Sequence, residues 1–143
     1  MLNLAVGGAT TRDALQTLDD AMPVGPAVFS FGTNDAAPWK QVPLDELRLN
    51  YRRILGKAQG KIVVLGPTPV SEPLGRPRTN VLQRHYSEAA AAVTADVSGT
   101  FIDLIDVLGG EDDALLDDGV HLSDVAYERL AGVALVALGA AEL

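Results

Sequence analysis

The chain has 143 residues, 48% apolar and 21% charged, a balance that suits one globular domain with a core of its own. Its formal net charge of −8 leaves no basic footprint for nucleic acid, and the absence of cysteine excludes disulfides and thiolate metal sites. No apolar run reaches the roughly 18 residues of a membrane span, and "MLNLAVGGATT" has neither the basic head nor the cleavage site of a signal peptide, so the cytoplasm is the default compartment.

In chain order, "LNLAV" (Leu2 to Val6) reads as a strand closed by Gly7 and Gly8. Thr10 or Thr11 then caps a helix with Ala14, Leu15 and Leu18 on one face. "PAVFSFG" is a second apolar run bounded by turn signals. Beyond a loop through Trp39, Pro43 opens a helix whose apolar stripe is Leu44, Leu47, Tyr51, Ile54, Leu55 and Ala58. "KIVVLG" is the third strand, and "PTPVSEPLGRPR", with four prolines, is a loop. An Ala-rich helix follows over about Asn80 to Val97, with Val81, Leu82, Tyr86, Ala89, Ala90 and Val93 inward. "TFIDLI" is the fourth strand, "GGEDDALLDDG" a loop, and Ser123 caps a final helix through Leu138.

The alternation β-α-β-α-β-α-β-α, without repeat or linker, describes a single α/β domain over residues 1–143. Strands without polar alternation are covered on both faces, hence a parallel sheet, and right-handed crossovers bring their C-termini to one edge. Three small motifs fall at that edge, where such folds build sites. "NLAVGGAT" places Gly7 and Gly8 after the first strand, where a backbone N–H can approach a ligand. "FGTND" places Asn34, an amide donor, after the second. "DGVHLS" sets Asp118 three residues before His121 at the mouth of the last helix. Each alone also has a plain structural reading: a glycine turn, a strand exit, a hydrogen-bonding histidine.

Together and in this order they resemble the SGNH hydrolases, the GDSL esterase and lipase family, over essentially the whole chain from Leu2. The resemblance implies a three-layer α/β/α, flavodoxin-like parallel sheet. It implies Asp118 and His121 as acid and base of a triad, and Gly8 and Asn34 as oxyanion donors. "IVVLGPTP" resembles the family's fourth strand and the substrate loop after it. The implied reaction is hydrolysis of small acyl or acetyl esters, a small-molecule substrate with no cofactor and no metal. Thr33, Trp39 and Pro69 are the expected substrate-side residues.

One departure is as informative as the match. The family's first segment, a central strand ending in Gly-Asp-Ser, has no counterpart in this sequence. Ser30, Ser71, Ser123, Thr10 and Thr33 are the hydroxyls to weigh as stand-ins. Ser30 is expected to face packing, Ser123 to be spent as a helix cap, and Ser71, in the proline-rich loop that borders the cleft, to reach it only by an unusual loop path. Losing a central strand uncovers strand edges, which implies closure of the gap, a strand from a second chain, or a homo-oligomer that covers the edges mutually. A non-catalytic binding or assembly module is the alternative function, and an Asp–His pair activating water directly is a third. Arg76 and Arg78 in the proline-rich loop are candidates to attract an anionic substrate, against a plainer reading as solvated side chains. The run Glu111, Asp112, Asp113, Asp117 and Asp118 lacks EF-hand spacing and reads as a solvated acidic loop. His85 reads as surface.

Overall fold

The computed structural model describes residues 2–18, 22, 24–111 and 113–139. Asp112 of the acidic run lies outside them. Three parallel strands, β1 (Ala27–Ser30), β2 (Ile62–Leu65) and β3 (Thr100–Ile102), form a sheet in the order β1-β2-β3. Ala27 pairs with Ile62 and Val63 with Thr100, so all three strands end at one edge.

Helices cover both faces. On one face α1 (Thr11–Thr17), α2 (Leu44–Leu55) and α3 (Asn80–Asp96) pack around Phe29, Ile62 and Val64. The predicted α2 stripe is what buries: Leu47, Tyr51, Ile54 and Leu55 are almost inaccessible, each worth about 1.5–3 kcal/mol of removed apolar surface. On the other face α4 (Leu104–Leu108) and α5 (Asp124–Leu138) pack on Val63 and Ile102. Caps fall where the sequence puts them, with Thr10 on α1 and Ser123 on α5.

Three expectations are corrected. Leu2 to Val6 forms no strand: Leu2, Leu4 and Val6 are exposed, and the segment does not pair with β1. Its apolar pattern is strand-like, but a strand needs a neighbour to take its backbone hydrogen bonds, and the segment pairs with none of β1, β2 and β3. "TFIDLI" is strand only to Ile102, because the Asp103 side chain accepts from the N–H groups of Ile105 and Asp106 and starts α4. Val81 is exposed at 67%: it lies on the outer face of the first turn of α3, while Leu82 packs on the core and Gln83 is buried.

The open gap is also visible in β1. Phe29 is buried, but Val28 and Ser30 on the opposite face are exposed, so Ser30 does not face packing as expected. Val28 pairs with Val63, which α5 covers. Val28 itself is 43% exposed, so the apolar face there is left partly to solvent.

Candidate active site

The aspartate and histidine of "DGVHLS" stand on a tight hairpin. Leu115 and Leu122 form an antiparallel bridge, and the Leu116 N–H donates to the His121 carbonyl at 2.8 Å. Buried Leu122 and Ala114 root the hairpin in the core beside α5. At its tip the Asp118 carboxylate does three things. One oxygen accepts from the backbone N–H groups of Val120 and His121 at 2.9 Å each, an Asx-type turn that fixes the carboxyl plane. The other oxygen meets His121 Nδ1 at 2.5 Å. The hydrogen bond to the imidazole, then those to the two N–H groups, hold the Asp118 carboxyl far below the ordinary carboxylate range. The contact favours the charged form of Asp118 and, in the neutral imidazole, the tautomer whose Nδ1–H donates to it and whose Nε2 carries the free lone pair.

The hairpin is clamped onto the loop that follows β2. Gly119 has φ +69°, and a Cβ there would lie 2.7 to 3.0 Å from Leu74, Ser71 and Gly75, so glycine is required for both conformation and contact. Its carbonyl accepts from the Ser71 N–H at 2.8 Å. The loop thus brings Ser71 against the turn bearing Asp118, closer than its sequence position implied. The Ser71 hydroxyl makes no hydrogen bond to His121 among the described residues.

The other motifs occupy neighbouring turns at the same sheet edge. Thr33 Oγ1 accepts from the Thr68 N–H at 2.9 Å, tying the loop after β1 to the loop after β2. Asn34 Nδ2 donates to the Ala9 carbonyl at 3.2 Å, which joins the "GTND" turn to the Gly7–Gly8 turn and leaves the second amide hydrogen without an acceptor among the described residues. The Gly8 carbonyl accepts from Lys40 Nζ at 2.7 Å, while its N–H has no partner among the described residues. Next to Lys40, Trp39 is 58% exposed and carries the Arg78 guanidinium over its ring at 4.6 Å. Arg78 in turn feels the charge of Asp118. Lys40 thus touches the Gly8 turn and its chain neighbour Trp39 carries Arg78, which lies within the electrostatic reach of Asp118. Pro69 turns the other way: it is buried and lines a cavity of about 340 Å³ with Ile105 and Leu108.

Sequence reasoning missed Asp35. It is wholly buried and accepts from the Thr11 N–H at 2.9 Å, the Thr11 hydroxyl at 2.5 Å and the Gly32 N–H at 3.2 Å. Asn50 adds a bond to the same Thr11 hydroxyl at 3.0 Å. The network fixes the start of α1 to the turn that carries Asn34. The signal was present as an acidic residue directly after the amide, at a strand exit where the chain must turn into the core.

Of the remaining hydroxyls, those of Thr10 and Ser123 are committed, while Ser30 is exposed on β1 and makes no hydrogen bond to His121 among the described residues. Thr10 Oγ1 bonds Asp13 at 2.7 Å, and Ser123 Oγ donates to the Asp113 carbonyl at 2.5 Å while capping α5. His121 itself is open, its side chain 73% accessible. His85 is exposed on α3, as expected. Among the described residues no three His, Asp or Glu side chains gather as metal ligands, and no helix is long and apolar enough to cross a membrane.

Three comparisons bear on this arrangement. The GDSL-like lipase/acylhydrolase family model matches residues 1–129. A lipase/acylhydrolase from Enterococcus faecalis superposes with a TM-score of 0.79 at 28% identity, covering 91% of this chain and 69% of that one. A mutant of an acetyl-xylooligosaccharide esterase from Geobacillus gives a TM-score of 0.78 at 20% identity, covering 96% of this chain and 71% of that one. An enzyme described as an alpha/beta hydrolase, from the metagenome of Lake Arreo, gives 0.72 at 16% identity, covering 95% and 71%. No sequence among curated proteins matches. With nine-tenths of its length matched by one family model and the same three-layer sheet in each of these structures, the chain belongs to the GDSL-like lipase/acylhydrolase family.

Proposed function

We propose that this chain carries the acid–base and oxyanion-binding part of a carboxylic ester hydrolase acting on small acyl or acetyl esters. The observation that supports the reading is the Asp118–His121 contact of 2.5 Å on a hairpin held against the loop after β2, a loop that Thr68 ties to the turn carrying Thr33 and Asn34. Nε2 of His121 takes the proton of the attacking hydroxyl and returns it to the leaving alkoxide. Asp118 holds the tautomer and stabilises the imidazolium that forms. The Gly8 N–H and the uncommitted Asn34 N–H bind the carbonyl oxygen as it becomes an oxyanion, worth several kcal/mol of barrier.

The attacking hydroxyl is not identifiable among these residues, so water is the nucleophile available to the chain alone. The chain is expected to hydrolyse 4-nitrophenyl acetate slowly and without a burst. His121→Ala lowers that rate about tenfold or more, while His85→Ala and Ser71→Ala leave it. Serine-directed phosphonates do not inhibit. A rate that is flat at all pH values and indifferent to His121→Ala removes the hydrolase reading for this chain.

Exposed Leu2, Val6 and Val28 favour a second reading, an assembly module whose uncovered edge is closed by another copy. Static light scattering is then expected to give a mass of at least a dimer, falling to a monomer when Val28→Lys places a charge on the open face. A well-dispersed monomer at high concentration rejects it.

A further inference from the structure

Arg78 is the one arginine that is both partly buried and immobilised without a counter-ion. Arg12, Arg48, Arg52, Arg84 and Arg129 each pair with a carboxylate. Arg78 makes no ion pair and no side-chain hydrogen bond among the described residues, and its Nε is buried without a partner. Stacking on Trp39 at 4.6 Å fixes the plane of the guanidinium, and its own N–H to the Gly75 carbonyl, 3.1 Å, fixes the backbone beneath it. The carboxylate whose charge reaches it is Asp118, whose two oxygens already accept from His121 and two backbone N–H groups. Buried polar groups are ordinarily satisfied, so a planar fork of donors held still and unpaired is built for something that arrives.

We propose that Arg78, on its Trp39 platform, is the specificity-determining residue of this site and selects esters that carry a carboxylate a short distance from the reacting carbonyl. A carboxylate matches the guanidinium fork in two parallel hydrogen bonds, which neither a neutral ester nor a hydroxyl reproduces. The overall charge of −8 repels anions at long range, so any preference for one must be local. Calling the ligand a substrate rests on the hydrolase reading above, but its binding does not.

Trp39 is the sole tryptophan, so its emission reports directly on the platform. The experiment titrates the full chain with monomethyl succinate and with dimethyl succinate, both transparent where tryptophan absorbs. The monoester is expected to half-saturate the emission change at a concentration at least about tenfold lower than the diester. Arg78→Gln brings that ratio close to one, Arg78→Lys keeps part of it, and Arg76→Gln, an exposed neighbour, leaves it whole. Equal binding of the two esters by the unsubstituted chain overturns the proposal, as does a ratio that survives Arg78→Gln. Should Arg78→Gln not fold, the unsubstituted ratio together with Arg78→Lys still decides, since a ratio unchanged in Arg78→Lys at high salt rejects a charge-borne contact. Turnover of neutral esters tests the hydrolase reading separately, and either result can fail alone.

Discussion

Joining a strand that ends in Gly-Asp-Ser to the open side of β1 is expected to raise turnover of 4-nitrophenyl acetate by about a thousandfold over the chain alone. Two deficits are repaired at once. The hydroxyl gives His121 an oriented proton to take, and positioned general-base catalysis contributes about 10²–10⁴-fold. The added strand is also expected to shield His121, whose side chain is 73% accessible, and a drier Asp118–His121 pair would stabilise the developing imidazolium more strongly. Stability should rise with it. A central strand buries four or five apolar side chains at about 1.5–3 kcal/mol each, on the order of the roughly 5–15 kcal/mol that holds a whole domain together. Replacing the added serine by alanine separates the effects, keeping the gain in melting temperature and losing the turnover. His121→Ala in the fused chain should lose it as well. If the fused serine is inert while the strand stabilises the fold, the Asp118–His121 pair is not a catalytic base.

The helices were legible because each declares itself locally. The stripe from Leu47 to Leu55 and the caps at Thr10 and Ser123 need only the helical period and a side-chain oxygen. The strands β1, β2 and β3 were legible as apolar runs between turns. Leu2 to Val6 carries the same local signal yet forms no strand, because pairing is not a property of one segment. Asp103 hid α4 inside an apolar run, since "FIDLI" reads equally as strand or as cap followed by helix. At the candidate site, residue types were readable and engagements were not. Nothing in "GTND" says that one Asn34 hydrogen is held by Ala9, or that Thr33 is spent on Thr68. Arg78 looked like a solvated loop residue because its partner Trp39 lies 39 positions earlier, and only the fold stacks them.

Asp35→Ala is expected to cost about 3–5 kcal/mol, since it leaves the Thr11 and Gly32 N–H groups and the Thr11 hydroxyl without their acceptor at about 1–3 kcal/mol each, partly relieved by water. In a chain of this size that lowers the melting temperature by about 10 °C. Asp35→Asn should cost less, because Oδ1 can still accept from Thr11 while the amide meets the Gly32 N–H head-on. The two variants also differ from the parent in pH dependence. Burial pushes the Asp35 carboxyl above its ordinary value despite the three donors, so the folded state holds its proton more tightly than the unfolded chain does. This contribution to stability is full below about pH 4, the unfolded carboxylate value, and is lost as pH rises through the raised folded one. Denaturant midpoints of the parent should therefore fall across that window relative to Asp35→Asn, in which the slope is absent. Asn34 sits next to this anchor, so turnover in the fused chain should drop further in Asp35→Ala than its loss of folded population accounts for. Equal drops in both would mean that the network holds α1 in place without aiming the Asn34 amide.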